Sequence, residues 1–210
     1  MILMPRLYAI VDASCFSAPQ DLLSAAEELL AAGVTLIQYR NKSGNAKEIL
    51  AQARELRTQV SRTRASAPHL RLIMNDRADL CLAADFDGAH VGQDDLSTES
   101  ARKIIGPERW LGVSTHNDEQ LADADKTSAD YIAIGPVFST PSKANPDPIV
   151  GLAGVRRVRQ LTRKPLVAIG GVTRENCGSV IEAGADSVAV ISDLVEHPAK
   201  SAEEFLRILG

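Results

Sequence analysis

Polar and cationic side chains alternate in the segment Gln38-Tyr39-Arg40-Asn41-Lys42. Every second side chain of an extended chain points to the same side, so Gln38, Arg40 and Lys42 would face one site if the extended geometry persists that far. A guanidinium fork and an ammonium group on one side suit a pyrophosphate, which favours ligand binding over the alternative of a solvated strand end.

Carboxylates follow two other apolar runs, where Asp76 comes directly after Asn75 and Asp95 ends a polar triplet. Magnesium is usually held by one or two carboxylates together with waters and substrate phosphates. Asp76 and Asp95 are therefore candidate Mg²⁺ ligands. The alternative is helix capping, in which Asp76 begins one helix and Asp95 or Ser97 caps the next.

A hydroxyl and an imidazole end a further apolar run, at Ser114 and His116. Ser114 is the better candidate to contact a phosphate or a ligand ring. His116 precedes Asn117 at a predicted helix start, where a capping turn is the commoner explanation. We expect no catalytic triad and no covalent mechanism from the remaining histidines, His69, His90 and His197.

Two late segments can offer main-chain N–H groups to a phosphate. Ile169-Gly170-Gly171 ends one apolar run, while Ile191 and Ser192 end the last one, and each leads into a predicted helix. Helix starts and glycine-rich turns cradle anions, and barrels bind phosphate at this corner. The site would then hold two phosphorylated groups.

Eight short apolar runs, each followed by helical periodicity, must position these residues. The pattern predicts one phosphate-binding (β/α)₈ barrel over residues 1–210, in which all strands open on one face at their carboxyl ends. Gly33 and Gly184 would end two of the helices. The predicted strands are Leu7–Asp12, Leu36–Arg40, Arg71–Asp76, Gly88–Gly92, Trp110–Thr115, Tyr131–Val137, Pro165–Gly171 and Ser187–Ser192.

The segment Ser139–Val150 breaks this rhythm with three prolines. Its place after the sixth predicted strand favours an active-site loop over a plain surface connection. We hypothesise that it closes over the ligands and excludes water. Unchanged turnover and hydrolytic side product after trimming the loop would refute this.

Composition narrows the class of protein: 45% hydrophobic and 24% charged residues in 210 predict one globular domain. A net charge of −4 gives no basic field for nucleic acid or an anionic membrane. No apolar run or leader suggests a membrane span or export, so we expect a cytoplasmic location. Disulfides and structural zinc are not expected from three scattered cysteines, Cys15, Cys81 and Cys177.

Taken together, these motifs closely resemble the thiamine phosphate synthase family across nearly the whole chain. The most distinctive segment is Gly135-Pro136-Val137-Phe138-Ser139-Thr140-Pro141-Ser142-Lys143. The resemblance implies a transferase of an alkyl group other than methyl. It would join hydroxymethylpyrimidine diphosphate to thiazole phosphate, or its carboxylated form, in thiamine biosynthesis.

The resemblance also implies roles for individual residues. The pyrimidine diphosphate would be held by Gln38, Arg40, Lys42, Asn75 and Lys143. Asp76 and Asp95 would position Mg²⁺, and Ser114 would contact the pyrophosphate or the pyrimidine. Thr140 and Ser142 would contact ligand from the loop after the sixth strand, while Gly171, Ile191 and Ser192 would offer main-chain groups to the thiazole phosphate. Family members often carry Thr in place of Ser142, which keeps the hydroxyl.

The implied reaction is dissociative: the carbon–oxygen bond to diphosphate breaks, and the thiazole nitrogen captures the pyrimidine carbocation. Arg40, Lys42 and Lys143 would stabilise the leaving group, and with Ser114 they are the candidate catalytic residues. One rival is a thiazole tautomerase, whose histidine would lie near Gly135 at the end of the sixth strand. Another is a noncatalytic phosphate-ligand sensor. The sequence leaves the oligomeric state unknown.

Overall fold

Eight parallel strands form a closed barrel in the computed structural model, which describes residues 2–63, 69–140 and 147–210. Consecutive strands are neighbours, and the barrel closes where β8 pairs with β1 through Leu7 and Val188. The predicted fold is confirmed. The strands are β1 Leu7–Asp12, β2 Leu36–Arg40, β3 Arg71–Asn75, β4 Gly88–Val91, β5 Trp110–Thr115, β6 Tyr131–Ile134, β7 Leu166–Ile169 and β8 Ser187–Val190.

Helices follow the strands and cover the outside of the barrel. Those in the described residues are α1 Pro19–Ala31, α2 Ala46–Thr63, α3 Ala78–Ala83, α4 Thr98–Ile105, α5 Asp118–Asp125, α6 Gly151–Arg159, α7 Cys177–Glu182 and α8 Pro198–Leu209. Short 3-10 turns follow β1 at Ala13–Cys15 and β8 at Ser192–Leu194.

Local sequence signals explain where several helices begin and end. Proline occupies the first position of α1 and α8, where its missing N–H costs nothing. Gly33 and Gly184 have φ of +94° and +110°, so each ends a helix in a backbone conformation that glycine adopts without strain, as predicted. Because these stops come directly before β2 and β8, each strand starts in the register that the barrel requires.

The strands bury side chains on both faces, as parallel barrels do. The larger apolar cluster lies between the strands and the helices. A smaller one fills the barrel interior and contains Tyr8, Tyr131, Ile10, Leu36, Ile73 and Val167. Because the interior is packed toward the amino ends of the strands, the open space lies at their carboxyl ends.

The predicted third, fourth, sixth, seventh and eighth strands are longer than the observed ones. β6 stops at Ile134 because Gly135 and Pro136 turn the chain, and β7 stops at Ile169 because Gly170 and Gly171 take positive φ. These four residues, Gly135, Pro136, Gly170 and Gly171, line the open end of the barrel. Among the described residues, no helix is long and apolar enough to cross a membrane. The single domain over 1–210 stays a prediction.

Candidate functional site

A cavity of about 580 Å³ opens at the carboxyl ends of the strands. Every predicted site residue that the structure describes lines it: Gln38, Arg40, Lys42, Asn75, Asp76, Asp95, Ser114, Thr140, Gly171, Ile191 and Ser192. The two remaining predictions, Ser142 and Lys143, lie outside the described residues. Segments far apart in sequence therefore converge on one space, as the carboxyl face of a barrel requires.

Arg40 is held by an ion pair with Asp12, which lies opposite it in the register of β1 and β2. The Asp12 carboxylate is nearly buried and also accepts hydrogen bonds from the N–H and the hydroxyl of Ser14, at 3.0 and 2.8 Å. A carboxylate fixed on three sides fixes the guanidinium in turn. Asp12 was not among the predicted site residues, although it ends a predicted strand on the same rim.

Asp76 takes φ of +60°, an uncommon conformation for a residue other than glycine, and its N–H donates to the His90 carbonyl at 2.8 Å. Its carboxylate lies 3.1 Å from the ammonium of Lys42. Burial, followed by the Asp95 carboxyl within hydrogen-bonding reach, raises the pKa of Asp76, while Lys42 acts in the opposite direction. Two carboxylates that repel each other across a cavity rim fit a divalent cation.

The capping alternative does not account for either carboxylate. α3 begins after Arg77 without a side-chain cap, and the hydroxyl of Ser97 caps α4 by accepting from the Ser100 N–H at 3.2 Å. Asp95 instead accepts a hydrogen bond from the Gly92 N–H at 2.7 Å, inside the loop after β4. Both carboxylates thus remain available at the cavity.

The donor set suits Mg²⁺ held partly by solvent and substrate. Within the described parts of the chain, no group of three or more His, Cys, Asp or Glu side chains could hold a metal ion. Two carboxylates would leave the other coordination positions to waters and phosphate oxygens, which is the usual arrangement for this ion. A closed protein cage for a metal is therefore not built among the described residues.

Ser114 contacts a histidine that the sequence analysis set aside. Its Oγ lies 2.8 Å from Nε2 of His90, whose Nδ1 lies 3.1 Å from the hydroxyl of Tyr131. The serine–histidine pair was not expected, but its third member is a phenol, so these residues form no Ser-His-Asp triad. Burial lowers the pKa of His90 to about 4, opposed in part by Asp95, so the ring is neutral near pH 7.

His116 lies beside the start of α5, which Asn117 caps as predicted, accepting from the Gln120 N–H at 2.9 Å. Its Nδ1 lies 2.6 Å from the carbonyl oxygen of Gly135 and 3.5 Å from the Asp147 carboxylate. The chain therefore brings a histidine of the β5 loop to the end of β6, a contact that the spacing in sequence does not indicate.

The predicted phosphate corner after β7 depends on the absence of side chains. Gly170 and Gly171 have φ of +99° and +64°, and a Cβ on Gly171 would lie 2.5 Å from the Ser139 carbonyl oxygen. Asn176 donates from Nδ2 to the carbonyl of Gly171 at 3.0 Å, which fixes the turn. Only glycine permits this close approach of the two loops.

An arginine joins this corner to the turn after β8. Arg174 donates to both carboxylate oxygens of Asp193 at 3.1 Å and to Glu204 at 2.6 Å. Asp193 directly follows Ser192, and the Arg174 main-chain N–H also donates to it at 3.0 Å. Hydrogen bonds between Arg174 and Asp193 thus link the turn that carries Gly171 to the turn that carries Ser192.

The loop after β6 is fixed at both ends. The Val150 N–H donates to the Pro136 carbonyl at 2.8 Å, and the Gly151 N–H donates to the Val137 carbonyl at 3.1 Å. Thr140 and Asp147 line the cavity on either side of residues 141–146, which lie outside the described residues. Closure of this loop stays a prediction.

Comparison with known proteins gives the family. The model of the thiamine monophosphate synthase family matches residues 7–194. A thiamine-phosphate synthase of Koribacter versatilis is 62% identical over 98% of this chain and 96% of its own length, and one of Shouchella clausii is 42% identical over 96% and 94%.

A solved structure agrees with these relatives. The thiamine phosphate pyrophosphorylase from Pyrococcus furiosus superposes with a TM-score of 0.84 at 31% identity, covering 97% of this chain and 95% of that one. The chain belongs to the thiamine monophosphate synthase family.

Proposed function

We propose that the protein joins the pyrimidine of hydroxymethylpyrimidine diphosphate to a thiazole phosphate, or its carboxylated form, and releases diphosphate. One observation carries this proposal: a cationic and carboxylate rim and a glycine-built phosphate corner face each other across one cavity. Such a cavity suits two phosphorylated substrates, one at each end.

Arg40 and Lys42 bind the diphosphate in this proposal, with Gln38 and Asn75 beside them and Lys143 approaching from the loop. Arg40 is oriented before any ligand arrives, because Asp12 fixes its guanidinium. Preorganised cations stabilise charge that develops in the transition state more effectively than mobile ones. The leaving diphosphate gains charge as its bond to carbon breaks, so these residues favour departure.

Asp76 and Asp95 would hold Mg²⁺, which when bound neutralises diphosphate oxygens and so improves the leaving group. Lys42 already neutralises part of the Asp76 charge at 3.1 Å. Burial, and after it the nearby Asp95 carboxyl, raises the pKa of Asp76, so part of this shift comes from repulsion between the two carboxylates. A divalent cation relieves that repulsion, which gives the carboxylates a physical reason to bind it.

The chemical step requires no nucleophile from the protein. The bond between the pyrimidine methylene carbon and the diphosphate oxygen breaks, its electron pair leaves with diphosphate, and the thiazole nitrogen then bonds to the carbon. Ser114 contacts the pyrimidine substrate, and His90 behind it stays neutral near pH 7. Gly171, Ile191 and Ser192 hold the thiazole phosphate with main-chain groups.

The two rival functions lack support from the relatives described above, which are named as synthases. A sensor would also be expected to lose its metal ligands, whereas Asp76 and Asp95 both line the cavity. His116 lies at the end of β6, where a tautomerase would place its histidine. The same rim, however, also carries every predicted diphosphate-binding residue that lies within the described parts of the chain.

We infer a cytoplasmic location, which is consistent with a biosynthetic enzyme. We also infer that the protein binds neither nucleic acid nor membrane, because a net charge of −4 provides no basic field. Cell fractionation that recovered the activity in the membrane pellet would contradict this inference.

The test is product formation from the two substrates, with Mg²⁺ titrated from zero. We expect Mg²⁺-dependent thiamine phosphate from the native chain and none above background from Asp95→Ala. Glu99→Ala is the matched control, since Glu99 is exposed on α4 and does not line the cavity. A folded native protein that forms no product at any Mg²⁺ concentration would refute the proposal.

A further inference from the structure

A continuous chain of hydrogen bonds crosses the barrel interior beneath the cavity. Gln38 donates from Nε2 to the Tyr8 hydroxyl at 2.6 Å, and that hydroxyl lies 3.0 Å from the hydroxyl of Tyr131. Tyr131 lies 3.1 Å from Nδ1 of His90, and Nε2 of His90 lies 2.8 Å from Oγ of Ser114. The chain therefore starts at one cavity-lining side chain and ends at another.

The first bond favours one direction for the others. The amide nitrogen of Gln38 donates, so Tyr8 accepts this bond, and its single hydroxyl hydrogen is available for Tyr131, its other hydrogen-bond partner. Tyr131 then gives its hydrogen to Nδ1 of His90, which must carry a lone pair. In a neutral imidazole the other nitrogen, Nε2, holds the hydrogen and donates it to Ser114.

The barrel is shaped to accommodate this chain. The register of β4, β5 and β6 places His90 and Tyr131 on either side of Gly112. A Cβ on Gly112 would lie 2.1 Å from Cζ of Tyr131 and 2.4 Å from Nδ1 of His90. Only glycine leaves room for the two rings to meet, and both rings are buried or nearly so, so water does not compete for their hydrogen bonds.

The near end of the chain is also fixed. Gln93 donates from Nε2 to the Ser114 carbonyl at 2.7 Å, which ties the loop after β4 to the end of β5. The Ser114 main chain cannot shift without breaking this bond. The main chain that carries the Ser114 hydroxyl is therefore fixed, and the direction of the hydroxyl hydrogen remains to be determined.

We propose that Tyr131 and His90 are positioning residues that make the Ser114 hydroxyl a hydrogen-bond donor into the cavity. Because Ser114 already accepts from His90, its hydrogen is directed toward the substrate. The substrate atom that contacts the Ser114 hydroxyl must then be a hydrogen-bond acceptor, either a ring nitrogen of the pyrimidine or a diphosphate oxygen. The choice between these two acceptors rests on the proposed function, whereas the direction of the chain does not.

A chain running the opposite way would have a different chemical meaning. His90 would then carry its hydrogen on Nδ1 and accept from Ser114 at Nε2, which would make the serine a candidate nucleophile. The dissociative reaction needs no such nucleophile. The position of one hydrogen on His90 therefore separates a serine that donates from a serine that attacks.

The direct experiment measures the imidazole nitrogens of ¹⁵N-histidine-labelled protein by NMR near pH 7, without substrate. Spectra of His90→Gln identify the His90 signals among those of His69, His116 and His197. We expect His90 to be neutral, with hydrogen on Nε2 and a bare Nδ1. A hydrogen on Nδ1 would overturn the proposal, and this result would leave the proposed function untouched because no turnover is involved.

Two conservative variants then test the order of the links. Tyr131→Phe removes the donor to His90, whereas Tyr8→Phe removes only the link before it and leaves Tyr131 able to donate. We expect kcat to fall about tenfold in Tyr131→Phe and less in Tyr8→Phe, with the KM for thiazole phosphate within about twofold of native in both. In Tyr131→Phe, NMR should show the Nδ1-protonated form of His90 gaining population. Equal losses in the two variants, or an unchanged tautomer in Tyr131→Phe, would contradict the proposal.

A third pair separates donation from space filling at position 90. His90→Gln keeps an N–H near the Ser114 hydroxyl, whereas His90→Met has a similar length and no donor. We expect the Gln variant to retain at least about fivefold more kcat than the Met variant. Matching thermal unfolding of the two variants would show that both fold. Equal activity of two folded variants would show that position 90 serves only to fill space.

Discussion

On the β2–β4 side of the cavity, Arg40, Lys42 and Asp76 present charged side chains, whereas on the β7–β8 side Gly170 and Gly171 present main chain. The first side is organised by ion pairs, and the second by positive φ angles and close approaches between loops. One barrel face thus offers two different ways to hold an anion. The difference teaches that substitutions of charged residues should weaken anion binding on the β2–β4 side, whereas substitutions that add a side chain should weaken it on the β7–β8 side.

The largest effect is expected from Asp76→Asn on the charged side. The variant removes a metal ligand and leaves Lys42 without its partner at 3.1 Å. We expect kcat to fall at least about hundredfold at saturating Mg²⁺. Steady-state kinetics would check this, with thiazole phosphate affinity measured separately. A loss of thiazole phosphate affinity as large as the loss of kcat would contradict the separate roles of the two ends.

Gly171→Ala is the corresponding change on the main-chain side. Its φ of +64° and the 2.5 Å approach to the Ser139 carbonyl oxygen oppose any side chain. We expect the KM for thiazole phosphate to rise about tenfold or more, with the KM for the pyrimidine diphosphate little changed. Ser192→Ala is the control, because it keeps the main-chain N–H. A larger defect in Ser192→Ala than in Gly171→Ala would show that the hydroxyl, not the main chain, holds the phosphate.

A matched pair of carboxylates sharpens the comparison further. Asp12 fixes Arg40 at the charged end, and Asp193 fixes Arg174 beneath the phosphate corner. We expect Asp12→Asn to raise the KM for the pyrimidine diphosphate about tenfold, and Asp193→Asn to raise that for thiazole phosphate by a smaller factor. Kinetics with each substrate varied in turn would measure both. If Asp12→Asn instead raised the KM for thiazole phosphate and Asp193→Asn raised that for the pyrimidine diphosphate, the assignment of the two ends would be wrong.

The smallest effect is a pH dependence confined to the charged side. Burial and Asp95 raise the pKa of Asp76, so a proton competes for its carboxylate at a higher pH than for an ordinary aspartate. Lower pH therefore favours the protonated form, and we expect the dissociation constant for Mg²⁺ to increase as pH falls from about 8 to about 5.5. Titration calorimetry in buffers of constant ionic strength would detect it, and a constant affinity over this range would contradict the cause given.

The sequence predicted most of what periodicity and strand-end polarity encode. The bounds of β1, β2 and β5 are as predicted, because their apolar runs end at polar residues on the rim. β6 and β7 were extended too far, because Gly135-Pro136 and Gly170-Gly171 were included in the strands although such dipeptides mark turns.

The site was predicted where residues face solvent or ligand and missed where they face each other. Tyr8 and Tyr131 lie within predicted strands and were not predicted as site residues, although they form a hydrogen bond across 123 positions of the chain. His90 was set aside because no catalytic triad was evident, yet it contacts Ser114 on the next strand. Such contacts depend on barrel register, which local spacing does not reveal.

In the proposed function, the two ends of one cavity bind their anions independently and by different means. The most direct test is titration calorimetry of diphosphate and of thiazole phosphate, each with and without Mg²⁺, on the native chain and Asp95→Ala. We predict that diphosphate binds the native chain tightly only with Mg²⁺ and that Asp95→Ala abolishes this dependence, while thiazole phosphate binds both proteins alike. Diphosphate binding to the variant with native affinity and Mg²⁺ dependence, or a parallel loss of both ligands in a folded variant, would contradict the account.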